Sequence, residues 1–417
     1  MIEVDRVSGR AWAPRIPSLT VGTAARTFRA HPAGMIAPGE QNTMANLTEE
    51  RVLDALRTVE DPDLHRDLVT LGMIKDLRLD DGGAVSLRVV LTTPACPMKG
   101  KIQADVEAAL RKIGVERMNV VMDAEVRRAP MGGEVAGPTA ARMPGVKSVI
   151  AVASGKGGVG KSTVAVNLAV SLAKLGAKVG ILDADIYGPS LPIMLGLKDS
   201  RPSVNADEAI MPLERYGLRV MSMGFMLKED QAVVWRGPML GKALQQFVED
   251  VDWGELDYVV IDMPPGTGDV QLSLAQLLPV AGTVVVTTPQ DVAFADVRRA
   301  MKMMEMTKTP VLGLVENMSG FICGNCQAVH QIFGESRIDA HAAKAGLDVL
   351  AKIPLDSVTA VAADHGEPIV VAAPESAPAQ AYKALAQKVA QAVAVRTHAA
   401  EPKMGKLKAF FSSKVPG

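Results

Sequence analysis

"ASGKGGVGKSTVAVNLA", residues 153–169, decides the fold. Gly155, Gly160, Lys161 and Ser162 fit the spacing G-x-x-x-x-G-K-[ST]. In that pattern glycines let backbone N–H groups turn towards phosphates, and the helix that follows adds its dipole. The apolar run "SVIAVAS" (148–154) leads into the loop and a helix-like stretch leaves it, which is the strand–loop–helix setting the motif requires. Gly155, Lys156, Gly157, Gly158, Val159, Gly160, Lys161, Ser162 and Thr163 are therefore the expected nucleotide loop. Lys161 is expected to meet the β- and γ-phosphates, and the Ser162 hydroxyl to bind Mg²⁺. Replacing Lys161 by Ala is expected to abolish hydrolysis and leave the fold intact.

Two acidic strand ends fit the same chemistry. "YVVIDMPPGTGD" (258–269) delivers Asp262, suited to hold Mg²⁺ through water, and then a Gly/Pro loop that can sense a γ-phosphate. "VGILDADIYGPS" (179–190) delivers Asp183 and Asp185, of which Asp185 is the choice for orienting an attacking water. The plainer alternative is that these acids cap helices. Lys156 is a second lysine at the same loop, redundant within one chain unless it is a solvated loop residue.

Working outward, "KVGILDAD", "DYVVID", "GTVVVTT", "VLGLVEN" and "LDVLAKIP" are apolar strand-like runs separated by helical segments. Strands apolar throughout, alternating with helices, imply an α/β fold whose mostly parallel, doubly wound sheet is covered on both faces. This P-loop NTPase domain is expected over 147–393. Ahead of it, "LTEERVLDALRTV" (47–59) reads as a helix capped by Thr48, with Val52, Leu53, Leu56 and Val59 on one face. Two strands flank the turn "DDGG", and a helix "KIQADVEAALRKI" and a strand "MNVVMD" follow. That makes a small α+β domain over 44–128, joined by a Gly/Pro/Ala linker over 129–146. Residues 1–43 read as a disordered extension, or translation begins at Met44; a targeting leader, with five Arg facing three acids, is the alternative. Residues 394–417 are a basic tail whose Met404, Leu407, Phe410, Phe411 and Val415 would share one helical stripe. Lys403 and Lys414 within that stripe favour a frayed tail over a membrane-surface helix.

The chain has 417 residues, 48% hydrophobic and 22% charged, with net charge −1. Near-zero charge argues against bulk nucleic-acid binding. No run approaches a membrane span, no signal-like apolar region opens the chain, and three cysteines make no disulfide framework. A reducing cytoplasm is the expected location. Cys323 and Cys326 stand two residues apart in "FICGNCQAVHQIFG" (321–334), which supplies two of the four ligands that a tetrahedral zinc or an iron–sulfur cluster takes. A redox disulfide is the alternative. His330 is expected to be an exposed loop residue, and the methionines of "MKMMEM" (301–306) to pack in the core. Cys96, in "TTPACPMKGKIQ", precedes a helix and two lysines that could lower its pKa, or it is an inert, partly buried thiol.

These residues resemble the deviant Walker A group of P-loop ATPases, which includes MinD and ParA and is marked by G-K-G-G-x-G-K-[ST]. The fuller resemblance is to the Mrp/ApbC branch of iron–sulfur cluster carriers. "SGKGGVGKST", "LDADIYGPS", "DMPPGTGD", "VVTTPQDVAFAD", "ENMSGFICGNC" and "IPLD" carry it. "EDPDLHRDLVTLGMI" and "TTPACP" look like the iron–sulfur assembly domain that precedes such proteins. The resemblance implies a homodimer in which Lys156 reaches the partner's nucleotide. It implies ATP as the nucleotide, with adenine contacted near Asn317 and by Pro354 and Asp356. It also implies a [4Fe–4S] cluster held by Cys323 and Cys326 from two subunits, with apo iron–sulfur proteins and an assembly scaffold as partners. Gly324 stands where that branch often has Pro. A MinD/ParA-like positioning switch without a cluster and a structural zinc dimer are the rival readings.

Overall fold

The computed structural model describes residues 47–80, 82–129, 143–186, 188–226, 237–266, 271, 274, 278 and 280–399. The expectations for the extension, most of the linker, the tail after residue 399 and residues 267–269 of the Gly/Pro loop lie outside the described residues.

The first sheet has three strands: β1 (Ile74–Leu79), β2 (Val85–Leu91) and β3 (Met118–Ala124). β1 and β2 are antiparallel, β2 and β3 parallel, with helices α1 (Glu49–Leu56) and α2 (Lys99–Lys112) packed alongside. Thr48 caps α1 by accepting from the Arg51 N–H. Strand β2 buries every second residue, and Val85, Leu87, Val89 and Leu91 meet Val52, Leu56, Ile102 and Val106 of the helices. One buried face per strand is what strict alternation of this kind dictates.

Among the described residues the second sheet has nine strands. In chain order they are β4 (Val146–Ser154), β5 (Val179–Asp183), β6 (Leu213–Arg215), β7 (Leu218–Ser222), β8 (Leu256–Asp262), β9 (Val280–Thr287), β10 (Val311–Ile322), β11 (Val329–His330) and β12 (Val349–Leu355). Across the sheet they run β6-β7-β5-β8-β4-β9-β10, with β11 and β12 both paired to β10. All pairs are parallel except β6 with β7 and β10 with β11. Successive residues of the central strands enter opposite cores. Ile150, Val152, Ile181 and Val260 meet helices α3 (Lys161–Lys174) and α8 (Ala377–Ala399) on one face. Val149, Ala151, Leu182 and Val259 meet helices α4 (Gly237–Glu249) and α5 (Asp291–Met306) on the other. Burial on both faces is why these strands show no polar alternation. Two further helices, α6 (Ile338–Ala345) and α7 (Ser357–Asp364), flank β12 in the chain.

Several boundaries differ from the sequence reading. Strand β10 does not end at Asn317 but runs on to Ile322, because β11 folds back to pair with its far end. Helix α8 continues six residues beyond Val393 to Ala399, with Ala394 and Thr397 still buried. The edge hairpin β6–β7 was not anticipated, although "ERYGLRV" turns at Tyr216–Gly217, both at positive φ. In "MKMMEM" Met303 and Met304 are buried, whereas Met306 is 74% exposed at the helix end.

The loop between β2 and α2, and the segment ahead of β1, are tied to the large sheet and its helices. The buried Tyr258 hydroxyl donates to Thr93 Oγ1 at 3.0 Å, Gln391 donates to Asp63, and Ala95 joins the core that contains α3.

Candidate functional site

The phosphate loop spans the end of β4 and the start of α3, with Gly160 as the helix N-cap in the left-handed region at φ 82°. Only glycine takes that conformation without strain. Gly155 is needed for a different reason: a Cβ there would collide with the backbone of Asp296 and Val297 in α5. The loop is thus wedged between a helix and a strand end before any ligand arrives.

Lys161 is 6% exposed and Asp262 fully buried, and Lys161 Nζ lies 2.6 Å from Asp262 Oδ1 and 3.5 Å from Asp185 Oδ2. Neighbouring parallel strands create this arrangement, since Asp262 of β8 stands in register with Asp183 of β5. The Ser162 side chain also hydrogen-bonds Asp262, while Asp262 Oδ2 is buried without a partner among the described residues. Burial pushes the Asp262 carboxyl up against the pull of Lys161. A hydroxyl beside a buried carboxylate oxygen with no donor is a donor set that suits a hard divalent cation.

Asp183 and Asp185 part company. Asp183 accepts from the N–H groups of Asp185, Ser190 and Leu191 and from the Ser222 hydroxyl, so it works as a loop and helix cap. Asp185 instead faces Lys161. Ser222 sits on the unanticipated strand β7, and so no local sequence signal marked it. Lys156 is half-buried, and its carbonyl accepts from the Ser154 hydroxyl.

The three residues expected at the adenine share one edge of the sheet. Asn317 stands opposite Ile353, which precedes Pro354. Their polar groups are already engaged: Asn317 Nδ2 donates to Val159 O at 2.9 Å, and Asp356 caps α7 by accepting from the Thr359 N–H.

The cysteine pair lies in the β10–β11 hairpin. Cys323 N–H donates to Ala328 O, and Gln327 N–H to Cys323 O. Cys326 is exposed, and backbone N–H groups of Cys326 and Asn325 pull the Cys323 thiol below its ordinary value. His330 is exposed on β11. Among the described residues no group of three or more His, Cys, Asp or Glu side chains is placed to hold a metal ion. At Cys96 the two alternatives part: burial, Asp63 and Asp61 outweigh the N–H groups of Met98 and Lys99 and push its thiol up. The inert alternative fits this thiol better than an activated one.

Comparison with known proteins follows the same division. Residues 145–390 match the family described as NUBPL iron-transfer P-loop NTPase, and residues 49–121 match that of the iron-sulfur cluster assembly protein. The iron-sulfur cluster carrier protein of Deinococcus radiodurans is 50% identical over 349 residues, 84% of this chain and 96% of its own. The mitochondrial iron-sulfur protein required for NADH dehydrogenase of Arabidopsis thaliana is 51% identical over 252 residues, 60% of this chain and 80% of its own. An ADP-bound nucleotide-binding protein from Archaeoglobus fulgidus superposes with a TM-score of 0.50 at 42% identity, over 57% of this chain and 92% of that one. No helix among the described residues is long and apolar enough to cross a membrane.

Proposed function

We propose that this chain, which belongs to the NUBPL iron-transfer P-loop NTPase family and carries an iron–sulfur assembly segment ahead of that domain, is an ATP-dependent iron–sulfur cluster carrier of the cytoplasm. The observation that carries the reading is that one strand serves both sites. β10 touches the phosphate loop through Asn317 and ends in the exposed thiol hairpin.

At the nucleotide, Lys161 leaves Asp262 for the β- and γ-phosphates, and Asp262 with Ser162 is then free to hold Mg²⁺. The cation, when bound, neutralises charge on the phosphates. Asp185, next to Lys161, orients the attacking water, while Asn317, Pro354 and Asp356 border the adenine. Hydrolysis is slow, as suits a switch. Lys156 reaches a partner subunit's nucleotide in a homodimer. Two hairpins facing one two-fold axis then bring four thiolates to a single [4Fe–4S] cargo, which passes from an assembly scaffold to apo iron–sulfur proteins.

The test is iron and sulfide analysis of anaerobically purified protein. One cluster per dimer is expected, lost in Cys323→Ala and in Cys326→Ala and kept in Cys96→Ala. One full cluster per monomer, or iron retained without both hairpin thiols, overturns the reading.

A further inference from the structure

We propose that Glu316, Asn317 and Met318 form a coupling node that passes the state of the phosphate loop to the thiol hairpin, with Asn317 as its positioning residue. The proposal rests on the two-site reading above and names the residues that join the sites.

Asn317 is buried, and its only described side-chain bond is to Val159 O, within the phosphate loop. A Cβ on the next loop residue, Gly160, would collide with that amide nitrogen. The loop and the strand are therefore in direct contact through this one side chain, which leaves no room for a larger residue between them.

The strand is irregular directly beyond this contact. Met318 is not a glycine yet holds φ at 58°, in the left-handed region. Pairing with β12 slips at the same place: Asn317 faces Ile353, and the next pair is Phe321 with Leu355. Four residues advance on one strand while two advance on the other, which leaves surplus backbone within 318–320. A bulge of this kind bends and re-aims a strand, and a left-handed non-glycine persists only where its surroundings impose it. After the bulge, Phe321 and Ile322 pair with His330 and Val329 and close the hairpin that bears Cys323 and Cys326.

Glu316 grips the other leg. Its carboxylate is buried, one oxygen accepting from the Ser336 hydroxyl and the other, Oε1, without a partner among the described residues. Ser336 lies on the segment returning from the hairpin and also accepts from Ile338 N–H at the start of α6. Three consecutive residues thus hold the phosphate loop, the outgoing leg and the returning leg. When a nucleotide draws Lys161 away and the loop closes on phosphate, the displacement of Val159 reaches Asn317. It is then taken up at the bulge, where the strand has surplus backbone, and the hairpin is re-aimed.

The test needs no cluster. Metal-free, reduced protein is alkylated with iodoacetamide, with and without saturating ATP and Mg²⁺, and the rates at Cys323 and Cys326 are followed by peptide mass spectrometry. Cys96, outside the hairpin, is the internal reference. In the unaltered chain ATP should change the hairpin rates by about fivefold or more, in the range of ordinary coupling energies. Asn317→Ala, compared at an ATP concentration shown by direct binding to saturate that variant, should show a change of less than about twofold, and Ser336→Ala, which lies outside the nucleotide site, should shrink the effect in the same direction. Melting curves establish that both variants fold. A purely structural Asn317 would lower the melting temperature and leave the ATP effect on the thiols in place. No ATP effect in the unaltered chain, or a full effect in Asn317→Ala, overturns the proposal. If Asn317→Ala fails to bind ATP, Ser336→Ala decides, and a full effect there overturns it. Because the hairpin carries no iron in this assay, failure of the cluster reading and failure of the coupling remain separate results.

Discussion

The two ends of β10 are built by opposite rules. At the Asn317 end, charged and polar groups are withdrawn from water and tied to one another: Lys161 to Asp262, Asp183 to three backbone N–H groups and Ser222, Asn317 to the loop. At the Cys323 end, the thiols stand on an exposed two-strand ribbon held by a few backbone bonds. The first arrangement presets a shape for a small, highly charged ligand at a cost in stability. The second leaves its groups accessible to solvent and to a partner. The contrast can be broken at three points.

The largest effect is expected for Lys161→Ala. ATP hydrolysis should fall by about a hundredfold or more, the scale for losing a preorganised charge at a transferring phosphate. The buried ion pair also revises the expectation that this change would spare the fold. Removing one member of such a pair costs about 3–5 kcal/mol, less as Asp262 takes up a proton. Thermal melting should therefore drop in Lys161→Ala and recover in the double variant with Asp262→Asn, while hydrolysis stays absent in both. A single variant that melts like the parent would show that the buried end is not held by this pair.

The second effect is on pH dependence. Burial and the adjacent Asp262 push Asp183 up to about 7 from an ordinary 3.8. Between those values the folded chain keeps a proton that the unfolded chain releases, so this group's contribution falls as pH rises from about 4 to about 7. The whole window is worth a few kcal/mol, about 4 at most. Melting of nucleotide-free protein at pH 5 and at pH 8 should show this loss on going to pH 8. The pH sensitivity should be smaller in Asp183→Asn, even though that variant is less stable throughout for want of the caps to Ser190 and Leu191. Equal sensitivity in the two proteins would remove Asp183 from the account.

The smallest effect is at the other end. Cys323→Ala and Cys326→Ala, in iron-free protein, should melt where the parent does, because neither thiol is buried in the core. A clear drop would mean that the hairpin is a structural element and the contrast is false.

Much of the scaffold was legible because it is written in short windows. The loop spacing, the strand-then-helix rhythm, the cap at Thr48 and the turn between β1 and β2 all depend on residues within a few positions of each other. The end of β10 was not, because its last residues are strand by virtue of distant partners, the two-residue β11 and, at Phe321, Leu355 of β12. The sequence leaves Cys96 between two readings for a related reason. A helix start and two lysines are visible locally, but the burial and the acids Asp61 and Asp63 that raise its pKa are brought by the fold.

By itself the sequence determined what kinds of groups are present and in which local conformations: a glycine loop able to cradle phosphate, apolar strands that must be buried on both faces, two thiols too few to complete a metal site. Only the tertiary structure decided which of these groups meet. Lys161 and Asp262 are 101 residues apart, Asn317 and Val159 are 158, and Tyr258 and Thr93 are 165. The sequence favours Asp185 over Asp183 for the water but shows no contact of either; the fold gives Ser222 of β7 to Asp183 and leaves Asp185 facing Lys161. Such meetings are set by strand order and register, and these follow from the free energy of packing the whole sheet, which no short window contains.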